Sequence, residues 1–160
     1  LSDARVMDDT AALLAFLDND DAVRPGPVGS IGYCMGGWHV LNAAAHFPQR
    51  FQASVSLHGT RLISDRPDSP HLLADRFRGE LYCGFGELDH LAPPAMAAEL
   101  DRLLKPLAVD YRHEVHKGVE HGYALPDRDI YDATAAARDW EVIFAMFDRR
   151  LRPEIGRAHV

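Results

Sequence analysis

Helical and strand-like segments alternate along this sequence, and that alternation predicts a doubly wound, mainly parallel α/β sheet with helices on both faces. Two observations sharpen the prediction. The apolar runs at 28–33 and 81–85 are too short for helices and lack a polar face, as expected of strands buried on both sides. The segments between them carry helical spacing of apolar residues or are bounded by Pro and Gly.

Each element follows from local signals. Residues 3–18 predict an amphipathic helix with Val6, Leu13, Leu14, Phe16 and Leu17 near one face. Residues 19–27 are a polar, Pro/Gly-containing turn, and 28–33 are the first strand. A helix is expected over 35–46, with Pro48 just beyond its end. The β-rich stretch 53–57 is the next strand, 60–69 a loop, and 71–77 a short helix. A third strand covers 81–85. A helix over 93–105 has Pro in its first turn, where the missing N–H costs nothing. Alternation over 109–115 predicts a fourth strand. A long helix over 129–151 carries Tyr131, Ala135, Trp140, Ile143, Phe144 and Phe147. No internal repeat or low-complexity segment interrupts the pattern.

Composition narrows the function classes. The 160 residues are 47% hydrophobic and 26% charged, with a formal net charge of −7. An acidic chain is a poor partner for nucleic-acid phosphates, so no nucleic-acid role is expected. No run approaches the roughly 20 apolar residues of a membrane span, and no signal peptide is legible, so a cytoplasmic location away from membranes is expected. The two cysteines form no CxxC pair, and the nine histidines lack metal-site spacing, so neither metal nor organic cofactor is expected. The oligomeric state is not legible.

The run Gly32-Tyr33-Cys34-Met35-Gly36-Gly37 carries the strongest chemical signal. It crosses from a strand into a helix, with Gly two residues before and two after Cys34. That is the pattern of a nucleophile elbow, with Cys in the place of the more usual Ser. Such a turn sets the sulfur at a helix N-terminus, which favours thiolate. It also offers the backbone N–H of Met35 to an oxyanion. Gly37 gives the helix room to approach the neighbouring strand. A thiol nucleophile needs a base, and the base needs an orienting acid. Asp89 follows the third strand and His121 the fourth, both at carboxyl ends where such folds place their active-site loops. Glu87 is the rival acid. His90 and His116 are expected to be solvated loop residues, and Cys83 inert core. His58, Tyr123 and Leu125 are candidates for lining the pocket.

Together these residues resemble the dienelactone hydrolase family, in which Cys replaces Ser at the elbow of an α/β-hydrolase fold. Similar segments are Phe85-Gly86-Glu87-Leu88-Asp89, Glu120-His121-Gly122-Tyr123, and Arg128-Asp129-Ile130-Tyr131-Asp132 leading to Ala135, Ala136 and Trp140. The resemblance implies Cys34 as nucleophile, Asp89 as acid and His121 as base, hydrolysing a lactone or small ester through an acyl-enzyme. It also implies strands before residue 3, a second oxyanion donor, a thiol-activating Glu and a carboxylate-gripping Arg in that earlier segment. A further family Arg, four residues after the His, is matched here by Leu125, so a less acidic ester or lactone is the expected substrate. A non-catalytic binding protein of the same fold is the alternative, and a Cys34–Cys83 redox pair a third reading.

The organisation expected is one partial domain over residues 1–152 and a tail over 153–160. Residues 154–160 coincide with the translation of a common sequencing adapter, and the sequence lacks an initiator Met. An incomplete reading frame with a non-biological tail is therefore expected.

Overall fold

The computed structural model describes residues 2–152, so the expected tail lies outside the described residues. The elements are α1 (Asp3–Asp18), β1 (Val28–Tyr33), α2 (Met35–His46), β2 (Phe51–Leu57), a 3₁₀ segment (Pro70–Arg76), β3 (Glu80–Gly86), α3 (Pro94–Leu104), a 3₁₀ turn (Lys105–Leu107), β4 (Tyr111–His116) and α4 (Ala133–Leu151). The four strands pair in sequence order, all parallel. Among the described residues no helix is long and apolar enough to cross a membrane.

The sheet is buried from both sides. Leu81, Cys83 and Phe85 of β3 join a core with Met7, Leu14, Trp38, Leu41 and Leu100, from α1, α2 and α3. Tyr82 turns the other way and joins Ala53, Val55 and Leu57 of β2 under Val142, Ile143 and Met146 of α4. This two-sided burial explains why β3 is apolar at nearly every position. The register aligns Tyr33 with Leu57 and Leu57 with Gly84. Residues following β1, β2 and β3 therefore emerge along a single edge.

Two helices differ from expectation. In α1 the inward face is Asp3, Val6, Met7, Leu14 and Leu17, at true helical spacing, while Leu13 and Phe16 are exposed. Apolar identity misled there, and spacing decided the face. The last helix begins at Ala133 because the Asp132 side chain accepts the Ala135 N–H at 2.8 Å, an N-cap that stops the helix extending back to 129. Tyr131 thus precedes the helix, and Phe144 faces outward.

The two glycines flanking Cys34 have different reasons. A Cβ on Gly32 would lie 2.1 Å from the Gly36 carbonyl oxygen, whereas a Cβ on Gly36 would meet nothing within 4 Å. It is the Gly36 backbone, not its missing side chain, that makes the turn tight. Gly37 is required, since its Cβ would fall 2.2 Å from Ser56 Oγ and 2.7 Å from Gly59 Cα. Gly32→Ala should lower stability by about 3 kcal/mol or prevent folding. Gly36→Ala, in the first turn of a helix, should change it by less than about 1 kcal/mol. Thermal unfolding of the two variants checks the contrast.

Candidate active site

Cys34 stands between β1 and α2 with φ +54° and ψ −119°, a conformation that costs a non-glycine residue about 1–3 kcal/mol. Three hydrogen bonds hold it there. Its N–H donates to the Leu57 carbonyl at 3.1 Å, and its own carbonyl accepts from Gly37 N–H at 3.0 Å and Thr60 N–H at 3.1 Å. The thiol is half-buried and free. Met35 is the first residue of α2, and a first-turn N–H has no intrahelical acceptor. That donor remains free for an anion beside the sulfur.

On the same edge, His121 Nδ1 lies 2.8 Å from Asp89 Oδ2. The Asp89 side chain is fully buried. Its other oxygen, Oδ1, accepts from the N–H groups of Leu91 and Ala92, both at 2.8 Å. These bonds fix the direction of the carboxylate. With Nδ1 engaged, the imidazole keeps Nε2 for exchanging a proton with another group. The rival Glu87 is exposed and turned elsewhere, accepting the Gly118 N–H at 2.8 Å.

A cavity of about 310 Å³ opens at Cys34, lined also by Met35, Trp38, Thr60, Arg61 and Leu91. Leu91 joins the two halves of the site, because the N–H that Asp89 holds belongs to a residue of the cavity wall. A larger depression of about 730 Å³ lies at the other end of the strands, among Glu80, Asp110, Arg149 and Arg150. Its arginines pair with its carboxylates, leaving an ion-pair network without a nucleophile.

The expected pocket residues are placed differently. His58 has no exposed surface. Its ring meets the His121 ring edge-on at 4.9 Å between centroids, and packs against Tyr33 at 5.9 Å and Tyr123 at 5.6 Å. Tyr123 is likewise fully buried, and its hydroxyl donates to Asp139 Oδ2 at 2.7 Å. Neither lines the cavity, because neither has surface to offer. His58 packs against the His121 ring, and Tyr123 packs against His58 in turn. Leu125 is half-buried in the same loop, outside the cavity lining.

His116 is not a solvated loop residue. Its Nε2 lies 2.7 Å from Asp139 Oδ1, which also accepts the Tyr82 hydroxyl at 2.6 Å. Asp139 is fully buried and ties α4 to β3, β4 and the His121 loop. The sequence carried a signal for it, since Asp139 shares the inward helical phase of Ala135, Ala136, Val142, Ile143 and Met146. Burial of the Tyr82 and Tyr123 hydroxyls, reinforced by the Asp139 charge, holds them protonated, well above their ordinary range. The cavity residues Thr60, Arg61 and Leu91 were also not singled out from sequence. Their signal was position, just past the ends of β2 and β3. Cys83 is core as expected, its thiol pushed up to about 12 by burial.

The family model described as the dienelactone hydrolase family matches residues 1–151. The chain belongs to the dienelactone hydrolase family. A Synechocystis sp. protein assigned as a carboxymethylenebutenolidase is 29% identical over 154 residues, covering 94% of this chain and 62% of its own length. A Bradyrhizobium sp. protein assigned as a 2-oxo-3-(5-oxofuran-2-ylidene)propanoate lactonase is 27% identical over 144 residues, covering 88% and 57%. The chain thus spans about 60% of the length of these curated relatives. Among solved structures, a Klebsiella pneumoniae protein assigned as a dienelactone hydrolase superposes with a TM-score of 0.83 at 21% identity, over 92% of this chain and 62% of that one. A puromycin-hydrolyzing peptidase from Mycobacterium tuberculosis gives 0.76 at 19% identity, over 91% and 25%. The α/β-hydrolase fold is shared with both.

Burial, reinforced by the neighbouring His121, lowers the His58 pKa to about 4. An unfolded His titrates near 6.5, so between about 6.5 and 4 the unfolded chain binds the extra proton. Stability contributed by neutral His58 is therefore complete above pH 6.5 and is lost as the pH falls towards 4, by about 3 kcal/mol at most. His58→Asn, compatible with the positive φ of +41° at this position, should flatten the pH dependence in that window. Urea unfolding from pH 7 to 4 measures it.

Proposed function

We propose that this chain carries the catalytic machinery of a hydrolase that cleaves a lactone or small carboxylic ester through Cys34, His121 and Asp89. The observation that carries the reading is the buried Asp89 bonded to His121 at 2.8 Å, on the strand edge where Cys34 occupies a strained elbow. Family membership and the assignments of the Synechocystis and Bradyrhizobium relatives support the substrate class.

In this mechanism Asp89 holds the His121 ring by Nδ1, and Nε2 takes the proton of Cys34. The thiolate attacks the acyl carbon, and the Met35 N–H stabilises the oxyanion, a contribution of about 3 kcal/mol for a donor of this kind. His121 then passes its proton to the departing alkoxide, leaving a thioester on Cys34. Water, deprotonated by His121, attacks the thioester carbonyl, and the thiol leaves. A lactone keeps its leaving alcohol tethered, so ring opening yields a single hydroxy acid. The glycines at 32 and 37 serve this chemistry only by permitting the turn. A reducing compartment suits a nucleophile that must remain a free thiol.

A chromogenic aryl ester tests the mechanism in a single turnover. We expect a burst of released phenol accompanied by one acyl group on Cys34, detected by mass spectrometry. Cys34→Ala should abolish both. His121→Ala should slow acylation about 10²–10⁴-fold, and Asp89→Asn should slow it by a smaller factor. A burst that survives in Cys34→Ala, or an acyl group on another residue, would refute the assignment.

A further inference from the structure

We propose that Asp139 is a positioning residue for the reaction. By holding the chain on both sides of His121, it sets the imidazole within reach of Cys34 without itself meeting the substrate. This rests on the reading above, in which His121 takes the Cys34 proton.

The loop that carries His121 does not fix its own course. It contains Gly118 and Gly122, with φ +71° and +95°, and glycine leaves such conformations as readily as it enters them. Outside contacts must therefore decide where the ring stands. From the Asp89 side, the Leu88 N–H donates to the Val119 carbonyl at 2.9 Å, and Glu87 accepts the Gly118 N–H at 2.8 Å. Both contacts lie before His121 in the chain. Asp139 reaches the loop at its two ends. Its Oδ1 lies 2.7 Å from Nε2 of His116, the last residue of β4, and its Oδ2 accepts the Tyr123 hydroxyl at 2.7 Å. One carboxylate thus brackets the segment 117–122.

The sheet is shaped to admit this contact. A Cβ on Gly84 of β3 would fall 2.4 Å from Tyr123 Oη and 3.0 Å from Asp139 Oδ1. Glycine inside a strand weakens it, and often marks a close approach of this kind. Tyr82 of β3 completes the arrangement, its hydroxyl donating to Oδ1 at 2.6 Å. Asp139 and Tyr123 have no exposed surface, so a lost partner leaves the other group buried and unsatisfied. Any shift at Tyr123 passes along two residues of backbone to His121. Asp89 holds Nδ1, which sets the direction of the ring. Asp139 sets the place of the loop, and with it the reach of Nε2 toward the thiol. A misplacement of about 1 Å between reacting groups can cost about a hundredfold in rate.

The single-turnover burst with a chromogenic aryl ester tests this in the full chain, since phenol release reads acylation of Cys34. Tyr123→Phe should slow acylation about tenfold and Asp139→Asn about 10–100-fold, with KM little changed. Tyr82→Phe removes a hydrogen bond to the same carboxylate, but from the sheet and not from the loop. It should lower stability in urea unfolding and leave the acylation rate nearly unchanged. A carboxylate that served stability alone would give no such contrast between the two tyrosines. A second readout locates the effect at His121. In a His121→Ala chain, Tyr123→Phe should slow the residual acylation no further, because a positioning residue loses its effect once the group it positions is gone. Acylation at the wild-type rate in Tyr123→Phe overturns the inference. So does equal slowing in Tyr82→Phe, or slowing by Tyr123→Phe that is undiminished in the His121→Ala chain. The two tyrosine variants decide the matter even where Asp139→Asn fails to fold. If His121→Ala itself acylates at the wild-type rate, the reading of His121 as base fails, and the role of Asp139 falls with it.

Discussion

The structure turns on the backbone of one residue, because a positive φ at Cys34 survives only where its surroundings leave no alternative. Leu57 at the end of β2, Gly37 in the first turn of α2, and Thr60 in the following loop each bond the Cys34 backbone. They come from three separate segments, so the elbow is secured by the parallel pairing of β1 and β2 and by the seating of α2. Gly32 and Gly37 answer to the same constraint. One clears the path of the Gly36 carbonyl and the other lets α2 approach Ser56 and Gly59. The direction of the sulfur and the free N–H of Met35 follow from the turn. So does the place of Arg61, one residue beyond the Thr60 tether.

A second, buried polar centre supports the other half of the site. A carboxylate in a core is costly unless its acceptors are filled. Asp139 meets that condition with the Tyr82 and Tyr123 hydroxyls and the His116 ring. Because Tyr123 is two residues from His121, the network fixes the loop that carries the imidazole. Behind that loop both His58 ring nitrogens lack partners among the described residues, and burial lowers the pKa of the ring. At neutral pH it is an uncharged wall. Hydrogen bonding to the imidazole then comes from the Asp89 side, and His58, itself backed by Tyr123, packs against the ring.

Much of the fold was legible because its signals are local. Short apolar runs became β1 and β3, the Pro-led segment became α3, and the Gly-flanked Cys34 became an elbow. Asp89 and His121 were legible through chain order, and the structure brings them to 2.8 Å. Other readings failed where a local cue met a longer-range one. Leu13 and Phe16 look like core residues but sit on the outer face of α1, whose phase is set by Met7 and Leu14 against α2. Tyr131 has the character of a helical residue, yet the Asp132 cap excludes it from α4. His116, apparently a loop residue, belongs to β4 and meets a carboxylate 23 positions later.

By itself the sequence determined the order of strands and helices, the turn that exposes Cys34, and the residue types able to act with it, since these depend on periodicity, glycine placement and chain order. Only the tertiary structure decided which acid faces His121, which residues line the cavity and which stand behind it. Those relations join residues tens of positions apart across parallel strands, and register and packing set their distances. Arg61 is the clearest case. As a letter in a loop it is one arginine among many, and in the folded chain it lines the Cys34 cavity on a left-handed backbone.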